Sequence, residues 1–210
     1  TIVKSSYTNI KTELAKSGIN KITGGVIIDL GASYHQLTKR ERGFSFSKDA
    51  PLDMRFDISA DFSAYDLINS YKEDDLVRIF SEYGEERFSK RIAKKIVETR
   101  RVSKIRTTKE LANLIISSVP HIKSNIHPAT RVFQAIRIEV NGELENVKKV
   151  LKCAIELLDI GAVISVISFH SLEDRIVKNI FKQESQKCRC NNMICTCPPP
   201  KIELVNKKPI

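Results

Sequence analysis

The chain has 210 residues, 41% of them hydrophobic and 29% charged, with 35 Lys and Arg against 25 Asp and Glu and a formal net charge of +10. That length and composition support a buried core in one or two domains and exclude a chain disordered as a whole. No apolar run approaches the ~20 residues of a membrane span, and the opening stretch, Thr1 to Lys16, is too polar for a signal peptide. The basic excess favours a polyanionic partner, most commonly nucleic acid, over a merely solvated surface. The chain begins without Met and ends on Lys207-Lys-Pro-Ile210, which reads as a piece of a longer polypeptide.

In chain order, Ile10 to Ser17 has helical spacing with Gly18 as its stop, and Gly24-Gly25 lead into an apolar strand, Val26 to Asp29. Beyond Pro51-Leu-Asp-Met54 the pattern is helix alone for some seventy residues. Asp74 is placed to cap a helix over 75–83, and 85–100 has Ile92, Ala93, Ile96 and Val97 on one side and Arg87, Lys90, Arg91 and Lys94 on another. Thr107-Thr-Lys-Glu110 has the spacing of a capping box, and Val119-Pro120 ends the helix it opens. Helical spacing resumes over 130–141 and 143–158, with Gly161 as a cap. The nearly continuous apolar run 162–169 reads as a buried strand, and Ser171-Leu-Glu-Asp174 as the opening of a helix to Phe181. An all-helical block between β-bearing segments predicts an α/β sheet interrupted by an insert. The divisions are 1–58, an inserted helical domain over 59–128, a return to the sheet over 129–182, and a Cys-rich tail over 183–210.

Open α/β sheets bind ligands beyond the carboxyl ends of their strands. Asp29 ends the first strand, where a carboxylate can accept hydrogen bonds from an amine or a ribose. The second strand end, Ser168 to Arg175, would place His170, Glu173 and Arg175 on the same rim, with His170 either a proton shuttle or a structural side chain. Arg40-Glu-Arg-Gly-Phe-Ser-Phe46 suits stacking on unpaired bases, or else its phenylalanines plug the core. The basic side of 85–100 is a phosphate track or a solvated surface diluted by Glu85, Glu86 and Glu98. Cys188, Cys190, Cys195 and Cys197 crowd into ten residues, matching either a closed structural zinc site or free thiols in a tail.

Six segments together resemble the bacterial 16S ribosomal RNA cytosine-N4 methyltransferase family. They are Asp29-Leu-Gly-Ala-Ser-Tyr-His-Gln36, Arg42 to Phe46, Pro51 to Arg55, Tyr83 to Arg87, His127 to Arg137 and Ser168 to Lys178, in the family's order and spanning nearly the whole chain. The resemblance implies a class I methyltransferase sheet with a helical insert, S-adenosylmethionine as cofactor, small-subunit RNA or the ribosomal subunit as partner, and a cytoplasmic setting. It implies cofactor contacts from Tyr7, Asp29 and Gln36, with Asp29 also the candidate catalytic group. RNA contacts would come from Arg42, Phe44, Phe46, Arg131, Arg137 and Arg175. Tyr7 stands where the family has phenylalanine, which keeps the ring. Ala32 and Tyr34-His35 replace the usual Val and Ser-Pro, and the family's Gly-Gly-His loop and ribose-binding acid would lie before Thr1. On this reading the 210 residues bind the cofactor weakly and are inactive alone. The alternatives are a non-enzymatic RNA-binding module with structural zinc, and a DNA cytosine-N4 methyltransferase, for whose Ser-Pro-Pro-Tyr loop the chain has no match.

Overall fold

The computed structural model describes residues 2–33, 36, 40–120, 126–188, 196–197 and 199–206. In chain order the described elements are a 3-10 turn (Tyr7–Asn9), α1 (Ile10–Lys16), β1 (Gly25–Asp29), a second 3-10 turn (Arg40–Arg42), α2 (Ala64–Ser70), α3 (Glu73–Glu82), α4 (Ser89–Val102), α5 (Thr108–Ser118), α6 (Thr130–Asn141), α7 (Glu143–Leu157), β2 (Val163–Ile167) and α8 (Ser171–Glu184). They divide into two compact units, one of residues 1–31 with 144–210 and one of residues 32–143. Among the described residues no helix is long and apolar enough to cross a membrane.

The first unit is built on β1 and β2, which pair in parallel with Gly25 opposite Val163 and Asp29 opposite Ile167. Strand alternation turns Val26, Ile28, Ile164 and Val166 to one face, where they pack with Val147, Leu151 and Ala154 of α7 and Ile176, Val177 and Ile180 of α8. The opposite face is uncovered among the described residues: Ile27 is 77% exposed, Val163 52% and Ile167 48%. The expectation of a buried strand over 162–169 therefore holds on one face only. Gly161 does not cap α7, which stops at Leu157. Leu158 bridges to Ile22 instead, and Gly161 serves the turn into β2.

The second unit is helical. Leu67, Ile68, Leu76, Phe80, Ile92, Ile96, Leu111, Ile115, Val132 and Ile136 interlock in one core, joined by Phe44, Leu52 and Met54 from the preceding loops. Because those loops and α6 share this core, the unit is wider than the 59–128 insert read from the pattern. α2 opens on a capping box closed by Ser63 and Asp66. Lys72, not Asp74, precedes α3, and Asp74 sits in its first turn. α4 starts at Ser89 because Glu85 takes φ +49 and the chain turns there. Gly84 is required at that turn, since a Cβ would lie 2.6 Å from the Arg131 carbonyl oxygen and 2.7 Å from that of Phe80.

The Thr107–Glu110 box forms as read: Glu110 N–H donates to Thr107 Oγ1 at 3.2 Å and Thr107 N–H to Glu110 Oε2 at 3.2 Å. Thr107→Ala should lower the unfolding free energy by about 1 kcal/mol, the usual cost of a lost N-cap, measured by urea denaturation.

Candidate active site

At the carboxyl ends of the paired strands the Asp29 side chain is exposed and makes no hydrogen bond or ion pair among the described residues. Its position is fixed by the ladder: Leu30 N–H donates to the Ile167 carbonyl at 3.1 Å, and the Leu30 side chain is buried. The backbone then turns sharply at Gly31, whose φ of +85° favours glycine. The Phe169 ring lies alongside Gly31 and is 68% exposed. Sequence reasoning passed over Phe169, because an aromatic ending an apolar strand reads as core. Its sole signal was its place at the second strand end.

His170 resolves to the structural alternative. It is the N-cap of α8, its Nδ1 accepting from Glu173 N–H at 3.4 Å. Its Nε2 lies 3.3 Å from Glu173 Oε1, outside hydrogen-bonding alignment, and Glu173 Oε2 accepts from Phe169 N–H at 2.9 Å. The pair thus shapes the loop that carries Phe169. The capping residue falls one position earlier than Ser171, because imidazole nitrogen can accept as a serine oxygen does. Arg175 is exposed on α8. Tyr7, in the turn before α1, is 43% exposed.

In the second unit Gln36 forms a reciprocal pair with Ser33. Its Oε1 accepts from Ser33 N–H at 2.9 Å, and its own N–H donates to Ser33 Oγ at 3.3 Å. Tyr34 and His35 lie outside the described residues, as do Cys190 and Cys195; Cys188 and Cys197 are exposed.

The residues read as RNA contacts divide. Arg42 is partly buried and donates through Nη2 to the carbonyls of Arg55 and Phe56, so it ties down a loop. Phe44 is 9% exposed, in the core beneath that guanidinium and stacked with Phe56. Phe46 stacks with His127 at 4.4 Å and meets Phe133 edge-on. Phe44 takes the plug alternative, while Phe46 is partly buried against the same core. Arg137 is held by Glu143, Nε to Oε1 at 2.8 Å and Nη2 to Oε2 at 3.0 Å. Arg131 remains exposed, with one bond to the Glu85 carbonyl.

The Pro51–Arg55 segment is likewise structural. Arg55 grips Asp53 with Nε–Oδ1 2.7 Å and Nη2–Oδ2 2.9 Å. Burial pushes the Asp53 carboxyl up, but the Arg55 guanidinium and amide, with the charge of Arg42, outweigh it and hold the carboxyl below its ordinary value. Folding therefore favours the charged form. The contribution is complete above the ordinary carboxylate range, about pH 4, and is lost as the pH falls through the lowered folded value. In an acid titration of unfolding free energy, Asp53→Asn should remove this loss below about pH 4.

The model of the MraW methylase family matches residues 1–210. The chain belongs to that family. A curated relative named ribosomal RNA small subunit methyltransferase H, from Caldicellulosiruptor bescii, is 51% identical over 212 residues, covering all of this chain and 69% of the relative. Proteins of the same name from Clostridioides difficile and Streptococcus equi are 49% and 48% identical, with 68% and 67% of their lengths covered. MraW methylases are class I methyltransferases, and the parallel strand pair with flanking helices agrees with that fold. Membership in a methylase family sets aside the non-enzymatic reading. In this MraW-family chain Asp29 and Phe169 are both exposed at the strand ends of the first unit.

Proposed function

We propose that this chain transfers a methyl group from S-adenosylmethionine to the exocyclic N4 of a cytidine in small-subunit (16S) ribosomal RNA. The observation that carries the reading is the unpartnered Asp29 carboxylate at paired parallel strand ends, in a methylase-family chain with relatives named as ribosomal RNA methyltransferases. Within the first unit, Asp29 has an open carboxylate for hydrogen-bond donors and Tyr7 a partly exposed ring, which suit the cofactor; Gln36 is a contact that the family resemblance implies. When bound, S-adenosylmethionine supplies a methyl group activated on a sulfonium.

The target nitrogen is a poor nucleophile because its lone pair is delocalised into the ring. Asp29 accepting a hydrogen bond from that amine localises the lone pair and opposes the positive charge that builds on nitrogen. Ladder contacts through Leu30 hold the carboxylate in place, and positioning of this kind supplies much of the rate. A base can reach such a rim only after leaving its stack, and the exposed Phe169 ring offers it a new stacking surface. The enzyme would act in the cytoplasm, on free RNA or on the small subunit.

A structural zinc ion on Cys188, Cys190, Cys195 and Cys197 belongs to the same proposal, supported by the four-thiolate donor set. Purified protein should hold about one zinc per chain by elemental analysis, lost when all four are changed to serine; a metal-free protein refutes this part.

The functional test measures transfer of labelled methyl to small-subunit RNA. It uses the 210-residue chain and the same chain joined to the part of the C. bescii relative outside the match. N4-methylcytidine in digested RNA supports the reading, and RNA that stays unmethylated with both proteins overturns it.

A further inference from the structure

The exposed face of α4 is more cationic than its own stability favours, and we infer that it is the track on which the helical unit holds the phosphodiester backbone of the RNA substrate. The identity of that polyanion rests on the function proposed above; the charge pattern does not.

The structural boundaries of α4 change how its sequence reads. With the helix starting at Ser89, Glu85 and Glu86 no longer belong to its face. Glu85 sits in the preceding turn, and Glu86 is buried with Oε1 accepting from Phe88 N–H at 2.9 Å. Lys90, Arg91, Lys94, Lys95 and Arg101 are all exposed, and Glu98 is the one acid among them. At 100° and about 1.5 Å per residue these side chains share roughly 140° of arc and span about 16 Å of axis.

The helix gains little from them. No ion pair within the described residues engages any of the five cations, and the first turn contains no acid. Lys90 and Arg91 instead sit at the positive end of the helix dipole, and Lys90–Lys94 and Arg91–Lys95 are repelling i,i+4 pairs. The neighbouring α3 shows the stabilising pattern, with Glu73, Asp74 and Asp75 in its first turn. α4 is also well anchored: Ile92, Ala93 and Ile96 are fully buried, and Arg100 donates to the carbonyls of Ile68 and Tyr71. The charged face is therefore presented on a fixed support, as a repeating anionic backbone requires.

The test compares binding of a 16S RNA transcript to the wild-type chain, to Lys90→Gln/Arg91→Gln/Lys94→Gln/Lys95→Gln, and to an equal charge removal elsewhere, Lys4→Gln/Lys11→Gln/Lys16→Gln/Lys21→Gln. With log K measured against log salt, the α4 variant should lose affinity at least tenfold and flatten the slope by about 3, as expected for four lost phosphate contacts. The control should change less than about threefold. Lys90→Arg/Lys94→Arg/Lys95→Arg should keep both affinity and slope. The α4 glutamine variant should melt no lower than wild type, because it relieves repulsion. Equal losses in variant and control, an unchanged α4 variant, or a wild-type chain that does not bind the transcript each overturn the inference. If the α4 pattern holds while the joined protein fails to methylate, the surface stands and the methyltransferase reading falls.

Discussion

Asp29→Ala should reduce methyl transfer to small-subunit RNA by a factor on the order of 10²–10³, the range found when a single preorganised electrostatic group is removed from a reacting centre. The fold should barely notice, since the side chain is exposed and unpartnered among the described residues; an exposed substitution of this kind stays within about 0.5 kcal/mol. Asp29→Asn separates two contributions, because it keeps an acceptor oxygen and removes the charge. An intermediate rate would assign part of the effect to the hydrogen bond. Full activity in Asp29→Ala, measured with saturating cofactor and RNA, would remove Asp29 from the chemistry.

The largest effect on stability is expected at Glu143. Its side chain is 4% exposed and holds Arg137 through two hydrogen bonds, six residues back across the turn at Gly142. Glu143→Ala leaves a guanidinium in a largely desolvated position, and breaking a buried pair from one side costs about 3–5 kcal/mol. Removing both partners, as in Arg137→Leu/Glu143→Leu, should recover much of that loss, because no orphaned charge remains. Arg137→Lys should fall between, a lysine being unable to reproduce the two-pronged contact. Chemical denaturation of the four proteins ranks these losses. A Glu143→Ala variant within 0.5 kcal/mol of wild type would refute this account and return Arg137 to the candidates for RNA contact.

What could be read beforehand followed from local rules. The spacing of Ile92, Ala93 and Ile96, the Thr107–Glu110 box, and the strand ending in Asp29 all express periodicity and capping, which act within a few residues. The readings that shifted depend on distant partners. Helical spacing runs smoothly through Glu85, yet the chain turns there because Gly84 is pressed against the carbonyl of Arg131. Phe44 and Phe46 looked suited to stacking on bases, but their rings are taken by Phe56, His127 and Phe133. Arg42 looked suited to phosphate, yet its Nη2 is taken by two loop carbonyls. At the strand ends the same limitation ran the other way: Phe169 is apolar in composition and exposed in fact. The family resemblance named the chemistry, while only the fold could separate arginines that are engaged from lysines that are not.

The pairing of β1 with β2 also sets an order of events. Gly25 must find Val163 across the whole of residues 32–143, which form a compact unit of their own. Closing so long a loop is entropically slow, whereas the helices between rely on nearby contacts. On refolding, helical signal and burial of Phe80 should therefore develop before the strand ladder protects the Leu30 amide. The carboxylate at the end of β1 would then be the last part of the molecule to take up its working position.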